Sequence, residues 1–206
     1  MTPWKLLGTA AALVAIGACQ DANEGSARVF LKLPSSRVPV SEQKGALMTV
    51  PRRYLAREER TRGLTGIDRL RLEIERAEAT PLRIELAVRD PSPSALGERR
   101  RDEALNQPPG SPKHMTIPPP DHPQEMIGYI FTNSYAGTMA YYFKTSDDGV
   151  FVDCSERPRC RGFQSWHGVL DVQYEYTRAG LDDPRPMNAT VQQLLESFEV
   201  TGIPRR

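Results

Sequence analysis

Polar and apolar residues alternate most cleanly from Arg69 to Glu75. Leu70, Leu72 and Ile74 share one side of an extended chain, and Arg69, Arg71, Glu73 and Glu75 share the other. Leu82, Ile84, Leu86 and Val88 repeat the period. Successive side chains of a strand point to opposite faces, so this pattern predicts two half-buried strands, each with one wet face. The residues Glu78 to Pro81 read as the hairpin loop between them. Shorter strand candidates are Arg28 to Leu33, ended by Pro34, and Ala46 to Val50, ended by Pro51. Further on, Ile127 to Tyr135 and Thr138 to Lys144 flank Ala136-Gly137, a tight-hairpin signal. Asp147-Asp148-Gly149 is a second turn, leading into Val150 to Cys154. The stretch Ser155 to His167 reads as a loop, and Val169 to Thr177 as a strand with Val172, Tyr174 and Tyr176 on one face. Val191, Leu194, Leu195 and Phe198 recur at helical spacing, with Asn188 placed to cap that helix.

Between these patterned regions the periodicity vanishes. Asp90 to Glu125 holds nine of the eighteen prolines, with room for one short helix over Glu98 to Leu105. Proline stiffens and extends a chain, so the stretch reads as a connector. The predicted fold is α+β: an antiparallel sheet with a closing C-terminal helix, in two lobes (28–89 and 127–206) joined by a Pro-rich connector (90–126).

The N-terminus has its own logic. Lys5 is followed by an uncharged run from Leu6 to Gly17, ending in Ile16-Gly17-Ala18-Cys19. A positive start, a short apolar run and small residues before a cut site define a secretory signal, too short to span a bilayer. The run Ile-Gly-Ala-Cys resembles the lipobox of bacterial lipoproteins. That resemblance implies a signal peptide over 1–18, a diacylglycerol (palmitate-bearing) anchor on Cys19 and a tether to residue 27. Acyl chains bind a membrane with about 0.8 kcal/mol per buried CH₂, so several on one cysteine hold firmly. Gln20 follows the cysteine and the aspartate comes only at Asp21. For a Gram-negative lipoprotein this implies the outer membrane, facing the periplasm.

Export bears on the other cysteines. With Cys19 lipidated, Cys154 and Cys160 remain, and the oxidising periplasm permits a disulfide between them. Its chain-entropy contribution is about 2 kcal/mol for so short a loop. Metal is the other chemistry of a close thiol pair, but no second Cys or His pair stands nearby. The mature part, 206 less 18 residues, is long enough for a real core. The net charge of +1 offers no basic excess for a polyanion, which disfavours nucleic acid.

Catalytic candidates are thin. His114 and His122 lie in the proline-rich stretch, without helical spacing or a carboxylate cluster. Ser165 and His167 sit two apart in Gly162-Phe-Gln-Ser-Trp-His-Gly168, but no Gly-x-Ser-x-Gly elbow is present. Asp147, Asp148 and Asp153 lack the order of a calcium loop. No phosphate loop or dinucleotide fingerprint appears. The expectation is therefore no catalytic residue, no metal and no cofactor. Tyr141, Tyr142 and Phe143 are consecutive on one strand, so at least one must face away from the others. Arg157, Arg159, Arg161 and Trp166, around the Cys154–Cys160 pair, are the residue types enriched in binding hot spots, which makes them partner-binding candidates. The competing reading has Trp166 capping the core.

One resemblance bears on function. Phe151-Val-Asp-Cys154, Cys160, Val172-Gln-Tyr-Glu-Tyr176 and Val191-Gln-Gln-Leu-Leu-Glu-Ser-Phe198 together resemble the C-terminal domain of type VI secretion immunity proteins, which neutralise phospholipase effectors in the periplasm. Met48-Thr-Val-Pro-Arg-Arg-Tyr-Leu55 resembles a segment of other envelope proteins. The match spans roughly 50 residues, and those families carry a tryptophan where this chain reads Leu181-Asp-Asp-Pro-Arg-Pro186. What the resemblance implies is a non-enzymatic lipoprotein with a protein partner, an immunity-type inhibitor of a periplasmic toxin. The alternative is a structural or assembly lipoprotein of the envelope, and an inhibitor of host lysozyme is a third reading.

Overall fold

A computed structural model describes residues 25–33, 45–76, 79–89, 94–106, 114–117, 126–131, 138–145, 148–154, 158–177 and 183–201. Cys19 and the rest of the signal and tether up to residue 24, the Ala136-Gly137 turn, His122 and Arg157 lie outside them.

The chain opens with β1 (Ser26–Lys32) and β2 (Gly45–Pro51), then a 3-10 turn at Arg52–Tyr54, the short α1 (Arg57–Arg60) and β3 (Thr65–Ile67). Next come β4 (Arg69–Arg76), β5 (Ala79–Val88) and α2 (Leu96–Leu105). A run of strands follows: β6 (His114–Ile117), β7 (Met126–Phe131), β8 (Thr138–Lys144), β9 (Gly149–Asp153), β10 (Arg159–Trp166) and β11 (Leu170–Thr177). The chain ends in α3 (Arg185–Glu196) and β12 (Glu199–Thr201).

The strands form two sheets. The larger is antiparallel throughout, ordered β4-β5-β11-β10-β9-β8-β7-β6, and the smaller is ordered β12-β2-β1-β3. Period-two alternation decides what lies between them. Val29 and Leu31 of β1, Met48 and Val50 of β2, Leu70 and Leu72 of β4, Ile84 and Leu86 of β5, and Val172 and Tyr174 of β11 all belong to one buried cluster. Val191, Leu195 and Phe198, from α3 and the turn after it, belong to the same cluster. Burying a side chain of this kind stabilises by about 1.5–3 kcal/mol.

Two features of the predicted fold are overturned. The described residues are mostly β: among them three α-helices have four, ten and twelve residues against twelve strands, so an α+β sheet closed by a C-terminal helix is not the architecture. The core is walled by the four-stranded sheet, and α3 is one contributor to it. Nor are there two lobes. β5 and β11 pair from Leu170↔Val88 to Glu175↔Arg83, and β12 pairs with β2, so early and late segments share both sheets. The physical reason is that a single-faced hairpin cannot bury its apolar side alone. β4 and β5 complete that burial with β11, at a sequence distance no local pattern records. The stretch expected to be a connector supplies α2 and β6, the rest of it from 107 onward lying largely outside the described residues.

Two local differences have clear causes. The expected loop Ser155 to His167 contains β10, paired on both sides by β9 and β11. From Gly162 onward both its faces are covered, so its polar Gln164 and Ser165 are buried and no alternation shows there in its sequence. Gly162 in that strand is required, because the Tyr174 ring occupies the space a Cβ would need. Asn188 is not the cap of α3. It lies buried inside the helix, where its Oδ1 accepts the Tyr174 hydroxyl at 3.1 Å. The first turn is held instead by Asp183, whose Oδ1 accepts the Arg185 backbone N–H at 2.9 Å. Among the described residues no helix is long and apolar enough to cross a membrane.

Candidate functional site

The side of the large sheet turned away from the core has two halves. Over β7, β8, β9 and β10 it is apolar: Tyr129, Ala140, Tyr142, Phe151 and Phe163 form a second buried cluster. This answers the Tyr141-Tyr142-Phe143 question, since Tyr141 and Phe143 enter the main core and Tyr142 faces away.

The helix α2 covers that half, although its sequence is largely polar and Gly97 is its one buried residue. Leu96, Ala104 and Leu105 pack on the aromatic cluster. The Leu96 N–H donates to Ser165 Oγ at 3.0 Å, and Ser165 Oγ donates to Asp171 Oδ1 at 3.0 Å. Arg99 Nη2 reaches Asp171 Oδ2 at 2.8 Å. Arg100 lies 5.2 Å over Phe163 and Arg101 4.4 Å over Tyr142, both within cation–π range. Gly97 allows the helix to approach the Gly149 backbone more closely than a Cβ would permit. Burial raises the Tyr142 phenol above its usual range, opposed by the Arg101 charge.

The other half, over β4, β5 and β11, is open and charged. Registers place Arg71 opposite Glu85 opposite Gln173, and Glu73 opposite Arg83 opposite Glu175 opposite Arg161 opposite Asp153. The second row alternates in sign across five strands. Directly opposed unlike charges on one sheet face attract, by roughly 0.2–1 kcal/mol each. Glu85 holds Arg69 at 2.7 Å and Arg71 at 3.4 Å, Glu73 holds Arg83 at 3.4 Å, and Glu175 lies 3.6 Å from Arg159 and 3.7 Å from Arg161. A groove of about 320 Å³ runs between this face and the α1 edge, where Glu58 meets Arg71 at 3.7 Å.

The partner-binding candidates separate. Arg159 and Arg161 reach this open face, on the same carboxylate, Glu175. Trp166 is buried on the core side, its ring 4.4 Å from that of the exposed His167. Cys154 and Cys160 are joined by a disulfide linking the end of β9 to β10. The Ser165 hydroxyl serves Asp171 and α2, and His167 sits in a turn at φ 49°. Asp148 lies in another turn, where its Oδ1 accepts the Gly149 N–H at 3.0 Å; burial raises its carboxyl above the usual range, partly offset by that bond and by Arg89. Among the described residues no group of three or more His, Cys, Asp and Glu is placed to hold a metal ion. The residues missed by sequence reasoning are the outward arginines and glutamates of β4, β5 and β11. Their alternation marked them as wet, but only the strand registers align them into rows.

No family model and no curated protein matches the sequence. The structure is similar to that of an immunity protein of the Stenotrophomonas maltophilia type IV secretion system, with a TM-score of 0.54 over 83% of this chain and 92% of that one. The two sequences are 15% identical, so the likeness is one of fold.

Proposed function

We propose that this chain is an immunity-type protein that acts by binding a protein toxin. The observation that supports it is the fold shared with a secretion-system immunity protein over 92% of that protein's length. A face of the large sheet that is ordered, charged and open to solvent is the kind of surface such binding needs. Protein contact requires no reacting group, and Ser165, the buried hydroxyl nearest to a histidine in the sequence, is spent on fastening α2. The finer part of the reading is that the chain is exported, lipidated on Cys19 and held at the outer membrane, where it meets its toxin in the periplasm.

The test is protection. Effector proteins encoded beside this gene are sent to the periplasm of a bacterial host, with and without this chain. Survival is expected to rise by orders of magnitude when the chain is present, and the purified pair is expected to elute as one complex. Unprotected cells and separate elution for every such effector would refute the proposal. The anchor is tested separately: Cys19→Ser is expected to abolish incorporation of a palmitate analogue, and equal labelling of variant and wild type would refute it.

A further inference from the structure

The open half of the outward face is layered by charge. Glu73, Glu85 and Glu175 form its floor, with 25–35% of their side-chain surface exposed. Above them Arg69, Arg71, Arg83, Arg159 and Arg161 keep 41–65% exposed. Away from the α1 edge, where Glu58 is as exposed as its partner Arg71, an approaching molecule therefore meets guanidinium groups before it meets carboxylates. Each floor carboxylate holds one or two of these groups from below, which limits their rotamers before any partner arrives. A guanidinium carries five N–H donors in a planar fork, so Arg83, held through Nε by Glu73, presents its outer edge to a second acceptor. Ordering in advance lowers the cost of association by about 0.5–1.5 kcal/mol for each side chain already held. The groove beside Arg71 and Arg83 has room for a protruding segment of another chain.

We infer that this arginine-topped face is the docking surface, and that its occupant is an acidic surface of the toxin whose Asp and Glu side chains pair with Arg71, Arg83 and Arg161. Charge complementarity selects this occupant: carboxylates match guanidinium forks in two-point geometry, and unlike surface potentials speed and orient encounter. The inference rests on the immunity reading for the identity of the partner, whereas the chemistry of the face does not depend on it.

The experiment uses the full mature chain and the triple variant Arg71→Ala, Arg83→Ala, Arg161→Ala. Exposed ion pairs contribute little to folding, about 0–1 kcal/mol each, so the variant is expected to melt close to the wild type. Arg28→Ala, on the exposed side of the small sheet, is the control. The first probe is the effector neutralised in the protection assay. The triple variant is expected to bind it about a hundredfold more weakly, with the control unchanged. Wild-type affinity is expected to fall about tenfold as salt rises from 50 to 300 mM, a measurement that needs no variant. The second probe is fluorescent poly-L-glutamate at low salt, expected to bind the wild type and not the triple variant. If the folded variant keeps wild-type affinity for the effector, or if salt leaves that affinity unchanged, the surface is wrong and the immunity function stands. If the wild type neutralises no effector, the function fails, and poly-glutamate alone judges the face: a loss confined to the triple variant supports it, and equal binding overturns it.

Discussion

Glu85 and Leu86 are neighbours on one strand and opposites in environment. Leu86 is wholly buried between the two sheets, while Glu85, one residue back, holds Arg69 and Arg71 on the open side. The same contrast runs along β4 and β11, so the large sheet has one face devoted to stability and one that is free to vary in chemistry. The outward face is itself divided. Over β9 and β10 a polar helix has been fastened onto an aromatic patch, and over β4 and β5 none of the described residues covers the charge rows. Burial free energy is collected on the inner face, so the outer one can carry a binding surface with little cost to folding.

The comparison is broken most severely by exchanging its two ends. Leu86→Ala is expected to cost about 2–5 kcal/mol in urea unfolding, because it leaves a cavity in a closed core. Glu85→Ala is expected to cost at most about 1 kcal/mol, because its partners are exposed arginines. Equal losses would show that the outward face is structural after all. Next in size is the disulfide, whose sulfurs lie on the core side. Replacing both Cys154 and Cys160 by serine is expected to lower stability by about 2 kcal/mol, as expected for closing a loop of so few residues. Arg99→Ala separates the two outward halves. It removes the contact that ties α2 to Asp171, and is expected to cost about 1 kcal/mol and to speed hydrogen exchange over Leu96–Leu105, with β4 and β5 unaffected. The smallest effect belongs to Asp148. Its carboxyl is raised in the folded state, so the folded state binds its proton more tightly and stability falls as pH rises from about 3.8 through the raised value. Asp148→Asn is expected to flatten that part of the pH–stability curve by under about 1 kcal/mol, and a curve unchanged in shape would discount the shift.

These strands also show how far a local reading carries. β1, β2, β4, β5 and β11 were legible because each has one buried and one wet face, which writes a period of two into the chain. β10 was not, because from Gly162 onward its outward side is covered as well, and Gly162, Gln164 and Ser165 are all buried. Arg159 and Arg161 were identified as surface residues, yet the reason offered was a stapled loop. In the structure they belong to a strand and act with Glu175, Arg83 and Glu73, three residues that sequence spacing puts far apart.

What the amino-acid sequence determined by itself was therefore the set of half-buried strands, the helical face of Val191 and Leu195, and the division of those strands into core and solvent positions. These follow from backbone geometry and transfer free energy, both local to a few residues. The tertiary structure alone decided that β5 lies beside β11, that a polar helix caps an aromatic patch, and that five strands align Glu73, Arg83, Glu175, Arg161 and Asp153 in one alternating row. Register is a long-range choice, made by whichever pairing buries all the apolar faces at once, and the charge pattern on the opposite face is its consequence.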